Sequence, residues 1–131
     1  VFDYRDGQLE QTQMVDLAAG QPVSDKAAAA LHASADDKFL YVSNRGTANQ
    51  VLVFAIDPAS GHLKELQRRS VEGDHPREFS LDPSGKFLLI ANQKSNQIVV
   101  VERDAKTGLL GKTVQKLPMD APSDLKFLVR Q

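Results

Sequence analysis

Seven side chains in this sequence stand out for the chemistry their types allow: His32, Arg45, His75, Arg77, Glu78, Gln93 and Lys94. A histidine suits general-base work near neutral pH. An arginine presents a planar fork that matches carboxylate or phosphate oxygens. With Glu78 they form a set suited to activating a water and to receiving an anion or a developing oxyanion. They do not form a recognisable metal site, because the histidines stand at positions 32, 62 and 75, without H-x3-H or H-E-x-x-H spacing. The absence of cysteine removes disulfides, iron–sulfur clusters and thiolate zinc sites. No G-x-G-x-x-G, P-loop or G-x-S-x-G pattern occurs, so neither nucleotide binding nor serine-based acyl transfer is supported. No metal and no cofactor is expected.

The elements that must position these residues show themselves as a repeat. Lys38-Phe39-Leu40-Tyr41-Val42-Ser43-Asn44 returns as Lys86-Phe87-Leu88-Leu89-Ile90-Ala91-Asn92, a spacing of 48 (38 to 86). Asn49-Gln50-Val51-Leu52-Val53 returns as Asn96-Gln97-Ile98-Val99-Val100 at 47 (50 to 97), so one residue is lost near the Gly46–Ala48 turn. Such a period marks units that cannot bury their own apolar faces and must stack on neighbours.

Within the second copy, Arg77–Leu81 alternates polar and apolar, Asp82-Pro83-Ser84-Gly85 turns, and Phe87–Ala91 runs apolar as a strand covered on both faces does. Ile98–Val101 and Leu110–Leu117 follow after further turns. The first copy reads as strands over Ala29–Ala33, Phe39–Ser43, Val51–Ile56 and Leu63–Ser70. Ala27–Leu31 also has strong helix propensity, but it occupies a strand slot of the repeat, and context is expected to win. The fold class expected is all-β: a β-propeller segment of about two and a half four-stranded antiparallel blades. Residues 1–20 end one blade, 28–71 and 76–117 are whole blades, and 122–131 is the first strand of a further or closing blade. Two large sheet faces are then left for remaining blades or self-association to cover.

Bulk properties narrow the partners. The chain has 131 residues, 41% apolar and 25% charged, with a net charge of −1. That balance offers no electrostatic reason to expect nucleic acid or an anionic membrane. No stretch approaches the roughly 18 apolar residues of a membrane span, and the first residues resemble no signal peptide. A cytoplasmic protein is the expectation, and the sequence reads as part of something longer.

Phe39-Leu40-Tyr41-Val42-Ser43-Asn44-Arg45-Gly46, His75-Pro76-Arg77, Asp82-Pro83-Ser84-Gly85-Lys86-Phe87-Leu88 and Ala91-Asn92-Gln93-Lys94-Ser95 together resemble the lactonase-type seven-bladed β-propellers. This family includes one class of bacterial 6-phosphogluconolactonase and the fungal carboxymuconate cyclases. The resemblance covers essentially the whole chain, as the C-terminal part of a longer ring. Two departures stand out: Glu78 precedes Phe79 after the Pro-Arg pair, and Asp36-Asp37 replaces the more usual Pro-Asp-Gly turn.

The resemblance implies a small-molecule lactone as substrate, with 6-phosphogluconolactone hydrolysis as the leading activity. A carboxymuconate-type lactonising isomerase is one alternative; a non-catalytic scaffold or binding propeller is another. It makes His32 a candidate general base, against a buried structural histidine. Arg77, at the entry of an innermost strand, is a candidate for anion or oxyanion recognition, against an inter-blade salt bridge. Glu78 shares side-chain parity with Ser80, the counterpart of His32, so it is a catalytic candidate or a structural acid. Arg45 and Gln93 occupy one slot in successive blades, as substrate-binding residues or turn caps. His75, Lys94 and His62 read as turn residues.

Overall fold

A computed structural model of the chain describes residues 1–128. Its body is two antiparallel sheets in meander order. The first comprises β3 (Ala28–Ala33), β4 (Phe39–Asn44), β5 (Gln50–Ile56) and β6 (Leu63–Ser70). The second comprises β7 (Pro76–Leu81), β8 (Phe87–Asn92), β9 (Gln97–Arg103) and β10 (Leu110–Pro118). Ahead of both, β1 (Phe2–Arg5) and β2 (Gln8–Gln11) pair as a hairpin with Gly7 in the left-handed region at its turn. Among the described residues no helix is long and apolar enough to cross a membrane.

The two sheets repeat each other in register as well as in order. Leu31 faces Val42 in the first, and Phe79 faces Ile90 in the second, the same pair 48 positions on (31 to 79, 42 to 90). The one-residue slip lies between the second and third strands, from Asn44 to Gln50 in one sheet and from Asn92 to Gln97 in the other. The alanine-rich stretch is strand, not helix: β3 pairs with β4, and an isolated helical turn here would bury no apolar stripe. A short 3-10 turn, Val23–Asp25, precedes it.

The core follows from period-two alternation. Val51 and Val53 of β5 point to the interface between the sheets, where they join Phe39, Tyr41, Val71, Phe79, Leu88, Ile90, Val99, Val101 and Leu110. Leu52 and Phe54 point the other way and are covered with Val42 by Val15, Leu17, Leu40 and Leu63. The interface between blades is therefore the principal core. It holds β3 and β7, the first strands of their sheets, side by side.

One expectation concerns the C-terminal segment. The segment expected to open a further blade, 122–131, forms no strand over 122–128, and 129–131 lie outside the described residues. A strand needs a partner for its N–H and C=O groups, and no neighbouring strand offers this segment a ladder among the described residues.

Candidate active site

The adjacent first strands bring histidine and carboxylate together. His32 on β3 and Glu78 on β7 meet across the blade boundary, with Nε2 and Oε1 2.8 Å apart. The same Oε1 accepts the backbone N–H of Phe79 at 2.8 Å, which holds the carboxylate in place. The imidazole stands edge-on to the Phe79 ring, centroids 5.0 Å apart at 80°. Both strands carry a register shift just before these residues, between Ala28 and Leu31 in β3 and between Pro76 and Glu78 in β7. A bulge re-aims the side chains that follow it.

Arg45 and His75 form a second cross-blade contact, beyond the starts of β3 and β7. Arg45 follows β4, and its Nη1 lies 3.2 Å from Nε2 of His75, just ahead of β7. Burial pulls the His75 imidazole below its usual pKa, and the cations Arg45 and Lys94 pull it further, against the opposing charge of Asp74. The ring is therefore neutral near pH 7, and the guanidinium donates to it.

Arg45, Arg77 and Glu78 share a cleft of about 480 Å³ with Ala28, Ala29 and Ala30, flanked by Ser123, Asp124 and Lys126 of the C-terminal segment. The cleft exists because the repeat differs here. Where the second blade has Pro76-Arg77-Glu78, the first has Ala28-Ala29-Ala30, so long polar side chains face a floor of methyl groups. Arg77 is exposed and makes no ion pair among the described residues, so the inter-blade salt bridge weighed for it is not formed there. Asp124 pairs with Lys126 at 2.9 Å, and that bond holds its carboxyl below the ordinary range.

The five residues singled out by sequence thus divide. Arg45, Arg77 and Glu78 line one cleft, and His32 joins it through Glu78. Gln93 is outside the lining; its backbone N–H donates to the His75 carbonyl at 3.1 Å, as that of Arg45 does to Ala27 at 2.9 Å. His62 and Lys94 are turn residues, with their backbones bonded to Asp57 and Asp74. His75 was read as a turn residue too, and its contact with Arg45 escaped sequence reasoning. Its place directly before Pro76 gave the sole signal. Asp124 and Lys126 had none. No cluster of His, Asp and Glu able to hold a metal ion occurs among the described residues.

Comparison with known proteins gives these features a context. The family model described as "Lactonase, 7-bladed beta-propeller" matches residues 1–127. The 6-phosphogluconolactonase of Formosa agariphila is 46% identical over 98 residues, which are 74% of this chain and 28% of that protein. That of Bacillus subtilis is 33% identical over 122 residues, 93% of this chain and 35% of that protein. Among solved structures, the periplasmic gluconolactonase PpgL of Pseudomonas aeruginosa matches with a TM-score of 0.90 and 48% identity, covering 98% of this chain and 36% of that one. A putative 6-phosphogluconolactonase of Bacteroides uniformis matches with a TM-score of 0.86 at 39% identity, over 97% of this chain and 36% of that one. The chain spans about a third of the length of these relatives.

Proposed function

The chain belongs to the lactonase family of seven-bladed β-propellers, and from that membership we propose that the whole protein is a lactone hydrolase, specifically a 6-phosphogluconolactonase that opens 6-phosphoglucono-δ-lactone. The observation that carries the reading to this chain is the His32–Glu78 pair beside a cleft holding Arg45 and Arg77. Such convergence is what a catalytic channel needs and a passive scaffold does not.

In the proposed reaction each of these residues has one role. Glu78 accepts the Nε2 proton of His32, which fixes the tautomer and leaves the Nδ1 lone pair to act as base. Nδ1 takes a proton from a water whose oxygen attacks the lactone carbonyl carbon. The carbonyl oxygen becomes an oxyanion, and the guanidinium of Arg77 neutralises it. Collapse breaks the ring C–O bond, and protonated His32 returns its proton to the leaving alkoxide. The product is an open-chain acid. Arg45 receives the phosphate at the substrate's far end, where a planar fork fits best.

The test is Arg77→Ala in the whole protein. Loss of an oxyanion partner costs about 10²–10³ in turnover, whereas Arg77 is exposed and the thermal midpoint should move little. Turnover equal to wild type removes Arg77 from the site. Offering the same preparation a carboxymuconate lactone separates the isomerase alternative. For location we infer the cytoplasm, because a sugar phosphate does not cross a lipid bilayer unaided. Recovery of the protein in the periplasmic fraction of its source cells contradicts this.

A further inference from the structure

Arg45 meets the cleft with its guanidinium bonded to a residue of the next blade. The group is always protonated, so its Nη1, 3.2 Å from His75 Nε2, can only donate. Nε2 must then hold the lone pair, and the ring proton sits on Nδ1. Among the described residues His75 is the one side chain bonded to this guanidinium, and Arg45 Nε is buried without a partner. His75 itself has φ +61, a left-handed conformation that costs a side-chain-bearing residue energy. Ala27, its counterpart in the first blade, is not left-handed. Two bonds hold the strained residue: its N–H donates to Asn49 Oδ1 at 2.9 Å, and its carbonyl accepts from Gln93 at 3.1 Å. Asn49 is braced in turn by donating to Asp74 Oδ1 at 3.0 Å. Ala121, which precedes Pro122 as His75 precedes Pro76, is left-handed as well, so the backbone conformation belongs to the turn. What points beyond the turn is the ring held against one guanidinium of the neighbouring blade.

We propose that His75 is a positioning residue, which holds the Arg45 fork toward the cleft so that it meets the anionic group of the substrate in one orientation. The inference rests on the lactonase reading of the same cleft. Burial opposes a proton on the ring, as do the charges of Arg45, Lys94 and Arg77, while Asp74 favours one. The ring is thereby kept as an acceptor.

The test compares a phosphorylated lactone with its unphosphorylated analogue in the whole protein. His75→Asn keeps a residue at ease in the left-handed region but is too short to reach Arg45. His75→Gln keeps an acceptor oxygen at about the right distance. For the phosphorylated lactone, His75→Asn should raise KM about tenfold with kcat within twofold, and His75→Gln should restore most of the loss. Turnover of the uncharged lactone should be unaltered, and in an Arg45→Ala background His75→Asn should add nothing. An equal loss on both lactones, or additivity with Arg45→Ala, overturns the proposal. Should His75→Asn fail to fold, His75→Gly serves in its place. If the wild type opens neither lactone, the catalytic reading fails, and inorganic phosphate titrated by NMR becomes the probe. Phosphate should then bind wild type and His75→Gln alike and His75→Asn about tenfold more weakly. Equal binding by all three, or by none, overturns the positioning role.

Discussion

At the scale of single residues, the value of Glu78 lies in its orientation as much as its charge. Its Oε1 is shared between the Phe79 N–H and His32 Nε2, so the carboxylate is held by the backbone and in turn holds the imidazole. Glu78→Gln preserves size but presents an amide that fixes the wrong tautomer as readily as the right one. Turnover of the lactone should fall about 10²-fold or more, while the folded structure survives because the pair is only half-buried. Kinetics above the uncatalysed rate, with circular dichroism as the control, check this; unaltered kcat makes the pair structural. The pairing was half legible in sequence. Alternation gave Glu78 and the counterpart of His32 one parity, but the bulge at Pro76–Glu78 that brings them into contact leaves no composition signature. Arg45 and His75 were less legible still. They are 30 positions apart and meet only because two blades dock, and a single sequence says nothing of how far the docked sheets rotate.

At the scale of elements, the blades are joined by polar staples threaded through an apolar interface. Tyr41 of β4 donates to the Gly108 carbonyl at 2.8 Å and accepts from Arg103 Nε of β9 at 2.6 Å, while Arg103 Nη1 donates to the Gly85 carbonyl at 2.7 Å. The Arg103 guanidinium also lies over the Phe39 and Tyr41 rings, 5.7 and 5.5 Å from their centroids. Gly108 has φ +74, and an added Cβ would fall 2.3 Å from the Phe39 ring, whereas at its counterpart Gly61 the nearest atom would be 3.9 Å away. Gly108→Ala should therefore cost about 2–4 kcal/mol, and Gly61→Ala only the backbone strain of about 1–2 kcal/mol. Urea unfolding midpoints test the difference; equal losses would mean that the interface yields. Both glycines stand at one place in the repeat, 47 residues apart (61 to 108). Only the packed blades separate them, because the Phe39 contact belongs to one alone. A second staple is electrostatic. Glu72 is held at about 2 by Thr113, Lys116 and Arg69, well below the ordinary carboxylate value of 4.5. A depressed carboxyl contributes stability that is complete above about 4.5 and is lost as pH falls toward 2. The group is partly exposed, so the gain is modest. Glu72→Gln should lower the urea midpoint slightly at pH 6 and less at pH 2; an equal effect at both pH values contradicts the ion network.

At the scale of the whole molecule, the blades explain both what the chain can hold and what it leaves bare. A blade between two others buries both faces, as the alternating sides of β5 do, one against the second blade and one against Val15 and Leu17. The flanking elements lack that cover. Phe2, Tyr4 and Leu9 of the β1–β2 hairpin are 55%, 71% and 68% exposed, and among the described residues no strand lies beside the β1 edge. On the far side, Phe87, Leu109, Val114 and Leu117 are all more than a third exposed along the second blade. In a closed ring these are the surfaces that adjacent blades bury, and repeat units without such neighbours expose apolar area and free strand edges. The chain of 131 residues taken by itself should therefore associate through these faces, whereas the whole protein should remain a single ring. Sedimentation velocity over a range of concentrations distinguishes the two, with growth of larger species and binding of an apolar dye expected for the chain alone. Replacing Tyr4 and Leu9 with lysine puts charge on the bare hairpin and should shift the association toward monomer. A chain that sediments as a monomer throughout and binds no dye would show that two and a half blades suffice for a stable, self-contained unit.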